Sequence, residues 1–256
     1  MDILYSVAGL AVGILVGMTG VGGGALMTPL LVLGFNVSPL VAVGTDLLFA
    51  AVTKSIGTVT HGWQGTVQWN IVGLMALGSV PSTFVTINFL SDLQAQGEIA
   101  DIVIKNTLAV ALLITATLLI FKNSLTKYFK SHPTDQSQVI KSTFTILAGA
   151  GLGVLVTISS IGSGALGIVI LTLLYPRLDM VKIVGTDIAH AVPLTAIAGI
   201  GHFHLGSVDL DLLYWMLLGS IPGVYLGSRM SKKLPEHIVR YTLAFLLFGV
   251  SIKLIA

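Results

Sequence analysis

Residues 19–24 read Thr19-Gly20-Val21-Gly22-Gly23-Gly24, and residues 159–164 read Ser159-Ser160-Ile161-Gly162-Ser163-Gly164. Each stretch interrupts an apolar run, at 3–34 and at 141–176, that is too long for one simple membrane span. Glycines and small polar residues in mid-run unwind a helix, and lipid offers the freed N–H and C=O groups no partners. Such a break survives only where protein, water or a bound solute supplies them. The two stretches therefore predict two broken helical hairpins inside a membrane.

The surroundings agree. Charged residues are 9% of the 256, apolar ones 54%, and the mean hydropathy is +0.95. A soluble domain carries about a quarter charged residues, so this chain lacks the polar surface to face water. Six more apolar runs, at about 39–60, 69–90, 103–121, 179–203, 209–229 and 237–255, approach the ~20 residues that cross a ~30 Å hydrocarbon layer. The expected fold is an all-α integral membrane protein. A net charge of +2 argues against a nucleic-acid partner, and the absence of cysteine excludes disulfides and thiolate metal sites. No pattern implies a metal or a cofactor. Met1-Asp2-Ile3-Leu4 lacks the basic stretch and cleavage site of a signal peptide, so the first run is read as part of the fold.

The breaks belong to an internal repeat. With an offset of 140, Gly9, Gly13, Leu15, Val16, Gly22, Gly24, Ala25 and Leu26 match Gly149, Gly153, Leu155, Val156, Gly162, Gly164, Ala165 and Leu166. With an offset of 141, Gly44-Thr45-Asp46 matches Gly185-Thr186-Asp187, His61 matches His202, and Gly65 matches Gly206. Gly78-Ser79 likewise matches Gly219-Ser220, and Pro81 matches Pro222. The expected halves are 1–130, ending in a basic linker, and 131–256, each a hairpin followed by three spans.

Charge orients them, because short cytoplasmic loops collect Lys and Arg. Lys122, Lys127, Lys130 and Lys141 mark one cytoplasmic loop, and Arg229, Lys232, Lys233 and Arg240 mark another. The repeat-equivalent of the latter, 91–105, carries Asp92, Glu98 and Asp101 with only Lys105. Equivalent loops of opposite character predict inverted halves with both termini outside. A parallel repeat with unbroken first helices is the alternative.

Glycine-broken segments at corresponding positions point to a transporter's solute site. Helices restarting near Ala25 and Ala165 aim their positive ends at the breaks, an arrangement suited to an anion. The candidate solute-binding set is Thr19, Gly20, Gly22, Gly23, Gly24, Ser159, Ser160, Gly162, Ser163 and Gly164, joined by Lys54 and His190. Helix packing is the plainer explanation of an isolated glycine such as Gly78. Asp46, Lys54, Asp187 and His190 lie within apolar runs, where a charge is costly and functional by default. Lys54 either neutralises an anion or pairs with a carboxylate. Asp46 and Asp187 are expected to accept hydrogen bonds from hairpin N–H groups, with proton coupling as a second role. His190 is a proton acceptor, a ligand or a neutral hydrogen-bonded group. His61, His202 and His204, near span ends, are expected to pack at the interface.

The Gly20-Val21-Gly22-Gly23-Gly24 hairpin, the two Gly-Thr-Asp triplets, and Gly78-Ser79-Val80-Pro81 with Gly219-Ser220-Ile221-Pro222 resemble the TauE/SafE family of sulfite exporters. The resemblance implies a bacterial inner-membrane transporter of sulfite, sulfoacetate or related organosulfonates, usually exporting, with alternating access as its mechanism. Ser160 and Ser163 stand where the first hairpin has Gly20 and Gly23, a departure from a symmetric glycine cradle. Two other readings compete: an anion channel, whose pores also use re-entrant hairpins, and a hydrolase with Ser163 as nucleophile and His190 or His202 as base. The hydrolase leaves the first break unexplained, and the chain is read as no enzyme.

Overall fold

The computed structural model describes residues 2–19, 24–94, 98–131, 137–230 and 236–255. Among these are ten helices: α1 (Asp2–Thr19), α2 (Gly24–Gly34), α3 (Pro39–Trp63), α4 (Trp69–Gln94), α5 (Glu98–Ser131), α6 (Gln138–Ser159), α7 (Ala165–Leu174), α8 (Met180–His204), α9 (Leu210–Met230) and α10 (Glu236–Ile255). Six segments are long and apolar enough to cross a membrane, within α3, α4, α5, α6, α8 and α9. The fold is all-helical and multi-pass, as the sequence predicts.

Polarity is turned inside out. Leu77, Phe84, Val85 and Phe245 are exposed, whereas Thr45, Asp46, Ser79, Thr83, Asp187 and His190 are buried. That distribution suits a lipid solvent, in which apolar side chains lose nothing by facing outward. Trp63 and Trp69 stand exposed on either side of the α3–α4 turn, the interfacial position such rings favour.

The hairpin arms are unequal. First arms α1 and α6 have 18 and 22 residues, second arms α2 and α7 only 11 and 10. At 1.5 Å per residue the second arms reach about 15 Å, half the hydrocarbon layer. Helix α5 is longer than the expected span at 103–121: its 34 residues carry the helix through Lys122–Lys130, drawn in the sequence as linker.

Packing pairs the eight longer helices across the two sequence repeats, while α2 rests on α3 of its own repeat. α1 lies along α9, α4 along α6, α3 along α8 and α5 along α10. Exchanging equivalent helices maps α1–α9 onto α6–α4 and returns α3–α8 and α5–α10 to themselves. Glycines permit the approach. A Cβ on Gly9 would fall 2.3 Å from the Met216 carbonyl oxygen and one on Gly149 2.2 Å from that of Met75, which are equivalent contacts. Gly78 is a packing glycine too, its Cβ position 1.9 Å from the Ile146 oxygen.

The Gly-Thr-Asp triplets seat the turns of the opposite half. Thr186 Oγ1 accepts from the Gln68 amide at 3.0 Å, and Thr45 Oγ1 accepts from the Asp209 amide at 3.0 Å. The glycine beside each threonine lets a turn come close: a Cβ on Gly44 would fall 2.1 Å from the Ser207 oxygen. The turns themselves use Gly65 at φ 66° and Gly206 at φ 70°, left-handed values that suit glycine. The C-terminal turn of α3 thus meets the N-terminal part of α8, and the reverse holds, so the two central helices run antiparallel.

Candidate functional site

The second break is built from its own backbone. α6 ends at Ser159, Ser160 turns left-handed at φ 58°, and Gly162 and Gly164 take φ of 125° and 149° before α7 begins. Ser159 Oγ donates to the Leu155 carbonyl at 2.7 Å and accepts from the Ile161 amide at 3.3 Å. The Gly167 amide donates to the Gly162 carbonyl at 3.1 Å. Ser159 therefore braces the turn. A Cβ on Gly162 would meet Leu166 and Val156 at 3.3 Å, so this glycine serves the turn's conformation and not an open space. Residues 20–23, which include Gly20, Gly22 and Gly23, lie outside the described residues; Thr19 closes α1 and Gly24 opens α2.

Lys54 reaches from α3 into the break of the other half. Its ammonium donates to the Ser163 carbonyl and, at 2.7 Å, to Ser163 Oγ. It is 7% exposed, Asp187 lines the same cavity, and Asp46 and His190 are near enough to interact with it electrostatically. The four intramembrane ionisable residues thus form one cluster.

The two aspartates differ. Thr28 on α2 donates to Asp46 Oδ2 at 2.5 Å, and the Ser160 hydroxyl stands beside the same carboxylate. Neither oxygen of Asp187 has a hydrogen-bond partner, against the expectation that hairpin N–H groups would serve it. The sequence explains the difference. Met27-Thr28 of the first half is Gly167-Ile168 in the second: isoleucine has no hydroxyl, and Gly167 opens room for the carboxylate. A Cβ there would fall 1.7 Å from Asp187 Oδ1.

His190 Nε2 pairs with Ser79 Oγ at 2.9 Å and its Nδ1 is buried without a partner. Its repeat equivalent is Phe49. His202 is wholly buried, not interfacial as the sequence suggested, with Nε2 donating to the Thr157 carbonyl at 2.9 Å. Both histidines are engaged away from Ser163, whose hydroxyl meets Lys54, so the Ser–His pair of the hydrolase reading does not form.

A cavity of about 580 Å³ opens beside the cluster. Lys54, Gly164 and Asp187 line one end, Thr60 and His61 the other, and Val16, Gly17, Ile221 and Val224 form walls from α1 and α9. It runs along α3 from the buried charges toward the turn at 64–68. Thr53, Tyr225, Thr28 and Ser79 complete this environment and were missed as site residues. Ser79 carried a signal, its place in the repeated Gly-Ser pair; a lone threonine such as Thr28 carries none.

A family model described as "Sulfite exporter TauE/SafE" matches residues 5–254. The chain is 38% identical over 257 residues to "Probable membrane transporter protein YjnA" of Bacillus subtilis (strain 168), covering 100% of both chains. It is 27% identical over 231 residues to "Probable membrane transporter protein YdhB" of the same organism, 89% of each chain. It is also 27% identical over 259 residues to "Probable membrane transporter protein MJ0441" of Methanocaldococcus jannaschii, 92% of this chain and 88% of that one. No solved structure matches significantly.

Proposed function

From the premise that the chain belongs to the TauE/SafE sulfite exporter family of membrane transporters, we propose that it carries a small oxyanion, sulfite or an organosulfonate, across the bacterial inner membrane by alternating access. The observation that carries this reading is the Lys54 ammonium held against Ser163 at the head of α7, at the buried end of the cavity. An oxyanion there meets one cation, hydroxyl groups and the amides that open a helix, which have no acceptor within it. Each charge-assisted bond is worth about 1.5–3 kcal/mol.

Asp187 lies at the same end with both oxygens unpartnered, and it would repel an anion unless it held a proton. A proton bound there sacrifices no hydrogen bond, so we take a proton as the coupling ion. The carrier is favoured over the channel because the equivalent route along α8 is filled: Leu194, Thr195, Ala198 and His202 are all buried.

Proteoliposomes test this with sulfite, sulfate, thiosulfate and organosulfonates, with and without a pH gradient. Saturable flux, counter-exchange and acceleration by an inward-acid gradient are expected for sulfite or an organosulfonate. Linear, pH-independent flux would reject the carrier, and no flux of any oxyanion would reject the substrate class.

A further inference from the structure

The histidines at the ends of α3 and α8 are repeat equivalents with unequal partners, and that mismatch marks a gate. On the α8 side, His202 Nε2 donates to the Thr157 carbonyl of α6, and α6 packs against α8. The repeat equivalents of His202 and Thr157 are His61 and Gly17. His61 keeps the same tie to its turn, Nδ1 to Thr66 Oγ1 at 2.8 Å, matching His202 Nδ1 to Ser207 Oγ at 3.2 Å. Among the described residues, however, its Nε2 meets no acceptor. His61 and Gly17 instead line opposite walls of the cavity, and α1 stands off from α3 where α6 touches α8.

We infer that His61–Gly17 and His202–Thr157 are alternating latches, one on each side of the bilayer. In this structure the His202 latch is closed and the His61 latch open. In the opposite state the His61 ring donates to the Gly17 carbonyl, His202 releases Thr157, and the cavity re-forms along α8. The chemistry suits a latch: a carbonyl only accepts, so a ring that closes on one must hold its proton on Nε2, which leaves Nδ1 facing a turn hydroxyl that can either donate or accept. The moving bodies are the glycine-packed pairs α1–α9 and α4–α6, each closing in turn on the central α3–α8 pair.

The inference rests on alternating access but not on the substrate, so its test reads accessibility alone. The chain has no cysteine, and cysteine pairs can be introduced cleanly. Thr157→Cys with His202→Cys, and Gly17→Cys with His61→Cys, should each cross-link in membranes, and reduction should reverse each bridge. Thr53→Cys, in the cavity, should react with impermeant reagent, and Ala198→Cys should resist it. Adding His202→Phe, which keeps a ring but removes the donor, should raise labelling of Ala198→Cys and lower that of Thr53→Cys. The ratio should move roughly five- to tenfold, the worth of one net hydrogen bond. His61→Phe should move it the other way. Failure of the Gly17–His61 pair to cross-link, or labelling of both sites changing in the same direction, would overturn the latches and leave His202 a packing residue.

Discussion

At the scale of single residues, the charges were legible and their partners were not. Asp46, Lys54, Asp187 and His190 stand out in sequence because an ionisable side chain in an apolar run needs a reason, and all four meet in one cluster. The Gly167-Ile168 pair explains why Asp187 has no hydrogen-bond partner only once α7 is seen beside α8, and the Lys54–Ser163 bond depends on packing that sequence does not show. These facts separate the two roles left open for Lys54. Lys54→Met keeps the side chain's length and deletes its charge, so affinity for the oxyanion should fall roughly ten- to a hundredfold. It also leaves two buried carboxylates without a cation, and thermal stability should drop. Adding Asp187→Asn should restore stability without restoring binding. Recovery of both would make Lys54 an ion-pair partner of Asp187 and remove it from the solute site.

Element positions followed from hydropathy with little error, because each span must supply about 30 Å of apolar length. Helix ends were less legible: α5 continues past Phe121 through a lysine-rich segment that hydropathy cannot see as helix. Glycine roles divided cleanly once neighbours were known. Gly9, Gly13, Gly78, Gly149 and Gly153 bring helices into contact, whereas Gly162 shapes a turn. Gly78→Leu should therefore part α4 from α6 and cost about 1–3 kcal/mol or more, seen as a fall in melting temperature in detergent. Gly151 lies on the same α6 but has open space at its Cβ position. Gly151→Leu should stay within about 0.5 kcal/mol of the parent. Equal losses at both positions would mean that helix propensity, not interhelical contact, sets the effect.

For the whole molecule, the duplication was visible in sequence, but its consequence, an exchange of packing partners with one path open and one closed, required coordinates. The antiparallel course of α3 and α8 supports inverted halves. Two helices related by a two-fold axis run antiparallel only if the axis lies across them, and for helices that span a bilayer that axis lies in the membrane plane. The lysine distribution then supplies the absolute sense. Lys127, exposed on the extension of α5, is expected in the cytoplasm on the positive-inside rule. α5 must then start outside at Glu98 and α4 must start inside at Trp69, so the turn at 64–68 faces the cytoplasm. On that assignment the cavity, which runs from Lys54 toward that turn, would open inward, and the proposed His202 latch would seal the periplasmic side. Impermeant thiol reagent should label Lys127→Cys only from the cytoplasmic face, Glu98→Cys only from the periplasmic face, and Thr53→Cys from the same face as Lys127→Cys. Right-side-out and inside-out vesicles separate the faces. If Glu98→Cys and Lys127→Cys label from one side, α5 does not cross the membrane and the inverted arrangement fails. If they label from opposite sides but Thr53→Cys follows Glu98→Cys, the inversion stands but the site is reached from the His202 end, and the open His61 path is overturned.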